Sequence, residues 1–164
     1  MLFLTVGSQQ FQFNRLIEAM DNLIESGLIK DAAFAQTGAS TYVPKSFPSK
    51  AYLDRGQFGD LMHACDVVVA HGGTGAIIGA IKQGKKVIAV PRLSRFGEHV
   101  DDHQIEIVRQ FADMGLIEPC YDVESLTDAY ARTIDSEYKS FVSNTQVFID
   151  DLNNYIETVI SRGR

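Results

Sequence analysis

The feature that most constrains the fold is an uninterrupted apolar run at residues 67–70, followed at once by a glycine-rich turn at residues 71–75. Such a run is typical of a central parallel strand covered on both faces, because a strand with one exposed face shows alternating polar residues. The turn leads into residues 76–83, which we predict to be a helix. This order of strand, turn and helix favours an α/β fold with right-handed crossovers.

The same alternation continues along the chain. We predict strands at residues 2–6, 32–36, 50–53, 67–70, 87–90 and 116–118. The predicted helices cover residues 11–27, 58–65, 76–83, 103–113, 123–134 and 141–160. These elements predict a single domain over residues 1–164 with a doubly wound, mostly parallel, Rossmann-like sheet. Ligands bind such sheets beyond the carboxyl ends of the strands, which makes the turns at 7–10, 71–75 and 91–104 the candidate site.

Size and charge argue against several classes of protein. The formal net charge is −6, which gives no general reason to expect nucleic-acid binding. No apolar run approaches the ~20 residues that span a bilayer, and the apolar start of the chain is too short for a signal peptide. Cys65 and Cys120 lack metal-ligand spacing and are typical of buried, reduced thiols. We therefore expect a cytoplasmic protein that reaches a membrane only through a partner or a surface.

The turn at residues 71–75 favours an anionic ligand. Its glycines allow close approach of a ligand, and the following helix offers free N–H groups and the positive end of its dipole, which suit a diphosphate. His71 would add a hydrogen bond or a charge, and Thr74 a hydroxyl group. The steric needs of a tight turn explain the glycines equally well, so both interpretations stay open here.

A dinucleotide cofactor is disfavoured at this turn. The spacing of Gly73, Gly75 and Gly79 is not the G-x-G-x-x-G fingerprint. The next predicted strand ends at Pro91 and not at the acidic residue that would bind a ribose. The sequence therefore does not predict an NAD enzyme.

The other two turns carry polar side chains. After the first strand, Ser8 and its amide neighbours can bind phosphate or sugar hydroxyls, although Ser8 is equally suited to cap the next helix. In the third segment, Asp102, His103 and Gln104 suit recognition of sugar hydroxyls. Capping of the helix by an aspartate is the alternative role.

A metal site in this third segment is a weaker interpretation. His99 and His103 are four residues apart and could ligate a metal together with Asp102. Two histidines with uneven carboxylates form no closed ligand set, so we expect no metal.

These three segments, in this order, resemble the C-terminal domain of glycosyltransferase family 28, over roughly residues 2–134. The likeness is closer to stand-alone versions of that domain, found in the pair that extends dolichol diphosphate with N-acetylglucosamine and in bacterial capsule and exopolysaccharide synthesis. Residues 5–8 and 97–104 carry that likeness. The resemblance implies the donor-binding half of a GT-B enzyme.

The resemblance also implies roles for individual residues. The donor diphosphate would contact Gly7, Ser8, His71, Gly73, Thr74, Gly75 and Ala76. The donor sugar would contact Gln9, Asp102, His103 and Gln104. The base would lie near Tyr52 and Leu53. The family's ribose-binding glutamate is replaced by Gly79, so ribose binding differs or another acid, such as Glu98, substitutes.

The activity implied is inverting transfer from a UDP-sugar to a lipid diphosphate-linked saccharide, with no cofactor and no metal. In related enzymes the general base commonly belongs to the acceptor domain, so no catalytic base is assigned here, although His71, His99 and His103 are candidates. A membrane-anchored acceptor-binding subunit is the expected partner. The alternatives are a non-catalytic module that binds a nucleotide-sugar and regulates another glycosyltransferase, and an unrelated phosphate-binding α/β protein.

The C-terminal segment, residues 140–161, carries a long apolar stripe at helical spacing. The stripe either packs against the core of this domain or docks on the partner subunit, and the sequence leaves both open. An uncovered stripe would also promote self-association of the isolated chain.

Overall fold

The computed structural model describes residues 1–162 and contains one six-stranded sheet in which every strand pair is parallel. The strands are β1 (Leu2–Thr5), β2 (Ala33–Gln36), β3 (Ser49–Lys50), β4 (Val67–His71), β5 (Lys86–Val90) and β6 (Glu118–Pro119). Their order in the sheet is β3-β2-β1-β4-β5-β6. The chain runs outward from β1 to β3, returns to β4 beside β1, and then runs outward the other way. The predicted doubly wound α/β fold is confirmed, and its switch point lies between β1 and β4.

Six helices accompany this sheet, and five of them, all but the last, cover its two faces. They are α1 (Asn14–Glu25), α2 (Arg55–Ala64), α3 (Thr74–Ile81), α4 (His103–Asp113), α5 (Leu126–Asp135) and α6 (Thr145–Arg162), with short 3₁₀ turns at Ser94–Phe96 and Val123–Ser125. Helices α1 and α5 contribute to the core on one face, and α2, α3 and α4 to the core on the other.

The unbroken apolar strands serve both cores, since successive side chains of a strand point to opposite faces. On β4, Val67 and Val69 pack with α1 and α5, whereas Val68 and Ala70 pack on the opposite face. Strand β1 behaves in the same way, with Phe3 on the opposite face from its neighbours. This explains why the central strands show no polar alternation.

The structure shifts the bounds of the two edge strands. We expected the third strand at residues 50–53, but the ladder ends at Lys50 because Asp54 already caps α2, where its side chain accepts a hydrogen bond from the Gln57 N–H. The last strand was expected at 116–118 and instead pairs only Glu118 and Pro119 with β5. The sequence pattern shows which residues are apolar, whereas the residues that form the strand are those that pair with the neighbouring strand.

Helix α6 lies outside both cores. Its apolar side chains are exposed, with Phe148 at 66% and Leu152 at 47% of their full exposure. Only Phe141, before the helix, packs against the core, where Lys82 lies over its ring. The interpretation in which the stripe packs on this domain is therefore wrong for α6. Within residues 1–162, no helix has the length and apolar character needed to cross a membrane.

Candidate functional site

The three polar turns meet in a cleft at the carboxyl edge of the sheet, over the switch point between β1 and β4. Its volume is about 640 Å³, within the usual range for pockets that hold small ligands. Most of the residues predicted from sequence line it: Gly7, Ser8, Gln9, Leu53, His71, Gly73, Thr74, Gly75, Ala76, His103 and Gln104. The structure thus brings together residues up to nearly one hundred positions apart, whose roles toward a ligand stay predictions.

The N-terminus of α3 opens into this cleft. Helix α3 begins at Thr74, two residues earlier than the sequence suggested, and Gly73 occupies the N-cap position. Among the described residues, no side chain caps this helix end. The unpaired N–H groups of the first helical turn and the positive end of the helix dipole therefore face the space where a ligand would lie.

The ring of His71 explains two of the glycines. A Cβ atom at Gly73 would lie 2.3 Å from Nε2 of His71, and one at Gly7 would lie 2.7 Å from its Cε1. Gly7 also has a φ of +77°, which side chains rarely adopt. The imidazole thus fills the space between the two turns, and a larger residue in either place would displace it.

His71 contributes shape and hydrogen bonding and no positive charge. Burial, together with the nearby Arg92 cation, lowers the pKa of His71 to about 4, so the ring is neutral at pH 7. Its Nδ1 lies 3.4 Å from the carbonyl oxygen of Thr5, which favours the tautomer that carries the proton on Nδ1. The sequence left open whether His71 offers a ligand a charge or a hydrogen bond; the neutral ring disfavours the charge, and the hydrogen bond to a ligand stays a prediction.

Gln104 is buried in the wall of the cleft and is 3% exposed. Its Oε1 accepts a hydrogen bond of 3.0 Å from the Arg92 N–H. This contact fixes the amide, so that its NH₂ group is the part left to donate to a ligand. Gly72 allows α4 to approach, because a Cβ atom there would lie 2.9 Å from Cβ of Gln104.

Arg92 holds the cleft together, although the sequence did not single it out. Its guanidinium is buried and donates to four carbonyl oxygens, those of Val6 (2.6 Å), Phe11 (2.8 Å), Gln12 (2.9 Å) and Glu98 (3.1 Å). Burial lowers the pKa of Arg92 to about 10, which leaves it protonated at neutral pH. The side chain ties the turn after β1 to the loop after β5. Its position two residues after the end of β5, at the carboxyl edge of the sheet, was the signal that could have identified it.

Glu98 does not reach the cleft, which corrects the prediction that it could bind ribose. Its side chain is fully buried, and both carboxylate oxygens accept hydrogen bonds of 3.0 Å from Arg15. One of these oxygens also accepts from the Leu93 N–H at 2.9 Å. A buried carboxylate requires such partners, so Glu98 serves the fold. Among the described residues that line the cleft, Asp54 is the one acid, and it was not predicted.

Asp102 and Tyr52 also lie off the cleft lining. The Asp102 carboxylate accepts a hydrogen bond of 2.6 Å from the Ser94 N–H and so closes the loop before α4, and its contact with the sugar stays a prediction. Tyr52 is 50% exposed, whereas its neighbour Leu53 faces the cleft. The aspartate that joins His99 and His103 is Asp101, one position earlier than the metal interpretation assumed.

Three solved structures share this fold, each at an identity that supports the fold alone. The solution structure of ALG13 is 18% identical with a TM-score of 0.60, and the match covers 92% of this chain and 93% of ALG13. The glycosyltransferase SsfS6 from Streptomyces sp. SF2575, solved with thymidine diphosphate, is 23% identical with a TM-score of 0.56. The match covers 83% of this chain and 33% of SsfS6. The kitacinnamycin glycosyltransferase is 16% identical with a TM-score of 0.56.

The kitacinnamycin enzyme is matched over 80% of this chain and 34% of its own. This chain therefore spans about a third of the length of those two enzymes and nearly the whole of ALG13. A search among curated proteins finds no match. The model of the glycosyltransferase family 28 C-terminal domain matches residues 1–159, so this chain belongs to that family.

Proposed function

We propose that this chain is the donor-binding, catalytic subunit of an inverting UDP-sugar glycosyltransferase that acts on a lipid diphosphate-linked saccharide in glycan or polysaccharide synthesis. The observation that carries the proposal is the uncapped N-terminus of α3, which opens into the cleft at the switch point of a family 28 domain. A helix end of this kind favours a phosphate group, and a related fold, SsfS6, was solved with thymidine diphosphate.

The lining residues divide the cleft into three regions for a donor. The diphosphate faces the turn at 73–76 and the backbone of Gly7 and Ser8. The sugar lies toward Gln9, His103 and Gln104, whose amides and imidazole provide directional hydrogen bonds. The nucleoside lies toward α2, where Leu53 and Phe58 offer apolar contacts and Asp54 offers a carboxylate for the ribose hydroxyls.

The chemistry of this half is stabilisation of the leaving group. As the acceptor hydroxyl attacks the anomeric carbon, negative charge develops on the departing nucleoside diphosphate. The N–H groups and dipole of α3 are already oriented toward that charge, and they require no metal to stabilise it. His71 is neutral, and its ring packs between the turn at Gly7 and the turn at Gly73.

We assign the acceptor and the general base to a separate, membrane-anchored subunit. This chain spans about a third of the two larger glycosyltransferases. Helix α6 supports such a partner, since its apolar face is exposed along its described length. The chain would then sit at the inner face of the membrane through that partner.

A calorimetric titration with UDP, UDP-glucose, UDP-galactose, UDP-N-acetylglucosamine and NAD tests the donor site. We expect saturable binding of UDP and of one UDP-sugar, and no binding of NAD. Thr74→Val removes a hydroxyl at the exposed start of α3 and should weaken UDP binding, whereas Thr145→Val, at the exposed start of α6, is the matched control. Binding of NAD and not of UDP would overturn the proposal.

Transfer itself is tested with the acceptor-binding subunit present. Sugar transfer to a lipid diphosphate-linked saccharide that requires both chains supports a catalytic subunit. Donor binding combined with unchanged transfer by the partner alone would instead favour the regulatory module.

A further inference from the structure

Three side chains beside the cleft converge in a way that the donor site does not explain. The potential ligand atoms of His99, Asp101 and His103 all lie within 4.8 Å of one another. Nδ1 of His99 is 3.4 Å from Oδ1 of Asp101, and Nδ1 of His103 contacts the same oxygen. The two imidazole rings meet edge to face with their centroids 4.7 Å apart.

The most informative atom of this cluster is Nδ1 of His99. The His99 side chain is only 10% exposed, and its ring packs against Phe11 with a centroid distance of 4.9 Å. Among the described residues, this nitrogen is a buried polar atom without a hydrogen-bond partner. A buried polar atom left without a partner is costly, so its orientation toward Asp101 indicates that something else binds between them.

We propose that His99, Asp101 and His103 form a binding site for a divalent ion of the Zn²⁺ class. Imidazole nitrogens and a carboxylate oxygen are ligands that Zn²⁺ and its first-row neighbours accept. Zn²⁺ holds its ligands at about 2.0–2.2 Å, so two ligands of one ion lie up to about 4 Å apart. The ligand atoms here lie within 4.8 Å of one another, so the exposed side chains of Asp101 and His103 have to close a gap of less than about 1 Å.

This proposal replaces the expectation from the sequence that no metal binds. The reason is that a different aspartate, Asp101 in place of Asp102, lies beside the two histidines. Asp102, which the sequence paired with the histidines, is held by the Ser94 N–H. Asp101 lies between the two rings instead. Three protein ligands leave one tetrahedral position open, as in zinc sites that bind a further ligand.

We expect the open coordination position of the ion to face the cleft, because His99 and His103 both line it. A bound ion would fix the loop before α4 and place positive charge on the cleft wall. Coordination of a donor oxygen at this position rests on the proposed function, whereas metal binding itself does not.

Titration of the tag-free, chelator-stripped chain with Zn²⁺, without nucleotide, tests the site. We expect one ion per chain. Asp101→Asn and His103→Gln each remove one ligand and should weaken binding by about 100-fold or more, since loss of even a supporting outer contact costs 10–100-fold. His63→Gln, at an exposed position on α2, is the matched control and should bind as the unaltered chain does.

The cysteines do not compete with this site, because burial raises the pKa of both Cys65 and Cys120 and keeps them as thiols.

Substitution with Co²⁺ provides a second measurement, since imidazole and carboxylate ligation in a tetrahedral site gives visible absorption that both ligand variants should lose. No Zn²⁺ binding by the unaltered chain, or binding by Asp101→Asn and His103→Gln as tight as that of the unaltered chain, overturns the site. Both changes are at exposed side chains, and circular dichroism checks that the variants fold. A chain that binds Zn²⁺ but not UDP would retain this site and reject the donor proposal.

Discussion

The cleft and helix α6 each leave strong interactions unsatisfied, and they do so in opposite ways. The cleft exposes polar N–H groups that are held in place by a buried network around Arg92 and His71. Helix α6 exposes an apolar stripe that touches little of its own domain. The cleft is therefore organised before any ligand binds, whereas the apolar face of α6 is covered only when another molecule meets it. The proposed function uses this difference, with one surface for a small polar ligand and another for a partner protein.

The largest effect should follow from removing the buried cation that organises the cleft. Arg92→Met keeps most of the volume but leaves the carbonyl oxygens of Val6, Phe11 and Gln12 without their donor. We expect a loss of about 3 kcal/mol or more in the free energy of unfolding, because buried polar groups lose their partners. Urea denaturation measures this loss. Arg109→Met, at an exposed arginine on α4, should stay within about 0.5 kcal/mol, and an equally small effect at Arg92 would show that the network is dispensable.

His71 should make the stability of the cleft dependent on pH. The pKa of a histidine in an unfolded chain is about 6.5, and folding lowers it here to about 4. As the pH falls from 6.5 toward 4, the unfolded chain takes up a proton that the folded chain does not, so the free energy of unfolding decreases. The loss reaches about 3 kcal/mol at the acid end of this window.

Urea denaturation of the unaltered chain and of His71→Phe, between pH 7 and 4.5, isolates this contribution. Phenylalanine keeps a ring between the glycines but does not titrate, so the variant should lose less stability on acidification. His63→Gln, whose histidine is exposed, should follow the unaltered chain. Parallel curves for all three proteins would show that folding does not perturb His71.

The smallest effect on stability should come from α6. Leu152 and Ile156 lie one turn apart and are 47% and 44% exposed. The double change Leu152→Gln and Ile156→Gln should alter the free energy of unfolding by no more than about 0.5 kcal/mol, since it removes little buried contact. The same change should reduce self-association, measured by sedimentation, because it interrupts the apolar stripe. A large loss of stability would mean that α6 packs on its own domain after all.

The sequence predicted the fold well where a single physical pattern determines the structure. Unbroken apolar runs identified β1, β4 and β5, and the position of parallel strand ends placed three distant turns at one edge. The edge strands were less accurate, because two residues pair there and the neighbouring register decides which two.

The site was less predictable wherever a role depends on a distant partner. Glu98 looked available for ribose because nothing in its local sequence shows Arg15, which lies 83 residues away along the chain. Arg92 was overlooked for the same reason, since its carbonyl partners belong to the turn after β1. Asp101 and Asp102 are chemically identical neighbours, and only the loop geometry decides which one meets the histidines.

The most direct test of the donor site places one negative charge at the start of α3. Gly75→Asp has room, because a Cβ atom there meets nothing within 4 Å, and a carboxylate in the first turn suits the helix dipole. The variant should therefore fold as well as the unaltered chain but bind UDP at least about tenfold more weakly, since like charges repel across a short distance. Asn22→Asp adds the same charge on α1, away from the cleft, and should bind UDP normally. Equal UDP affinities for Gly75→Asp and Asn22→Asp would contradict the account, because the diphosphate would then lie elsewhere.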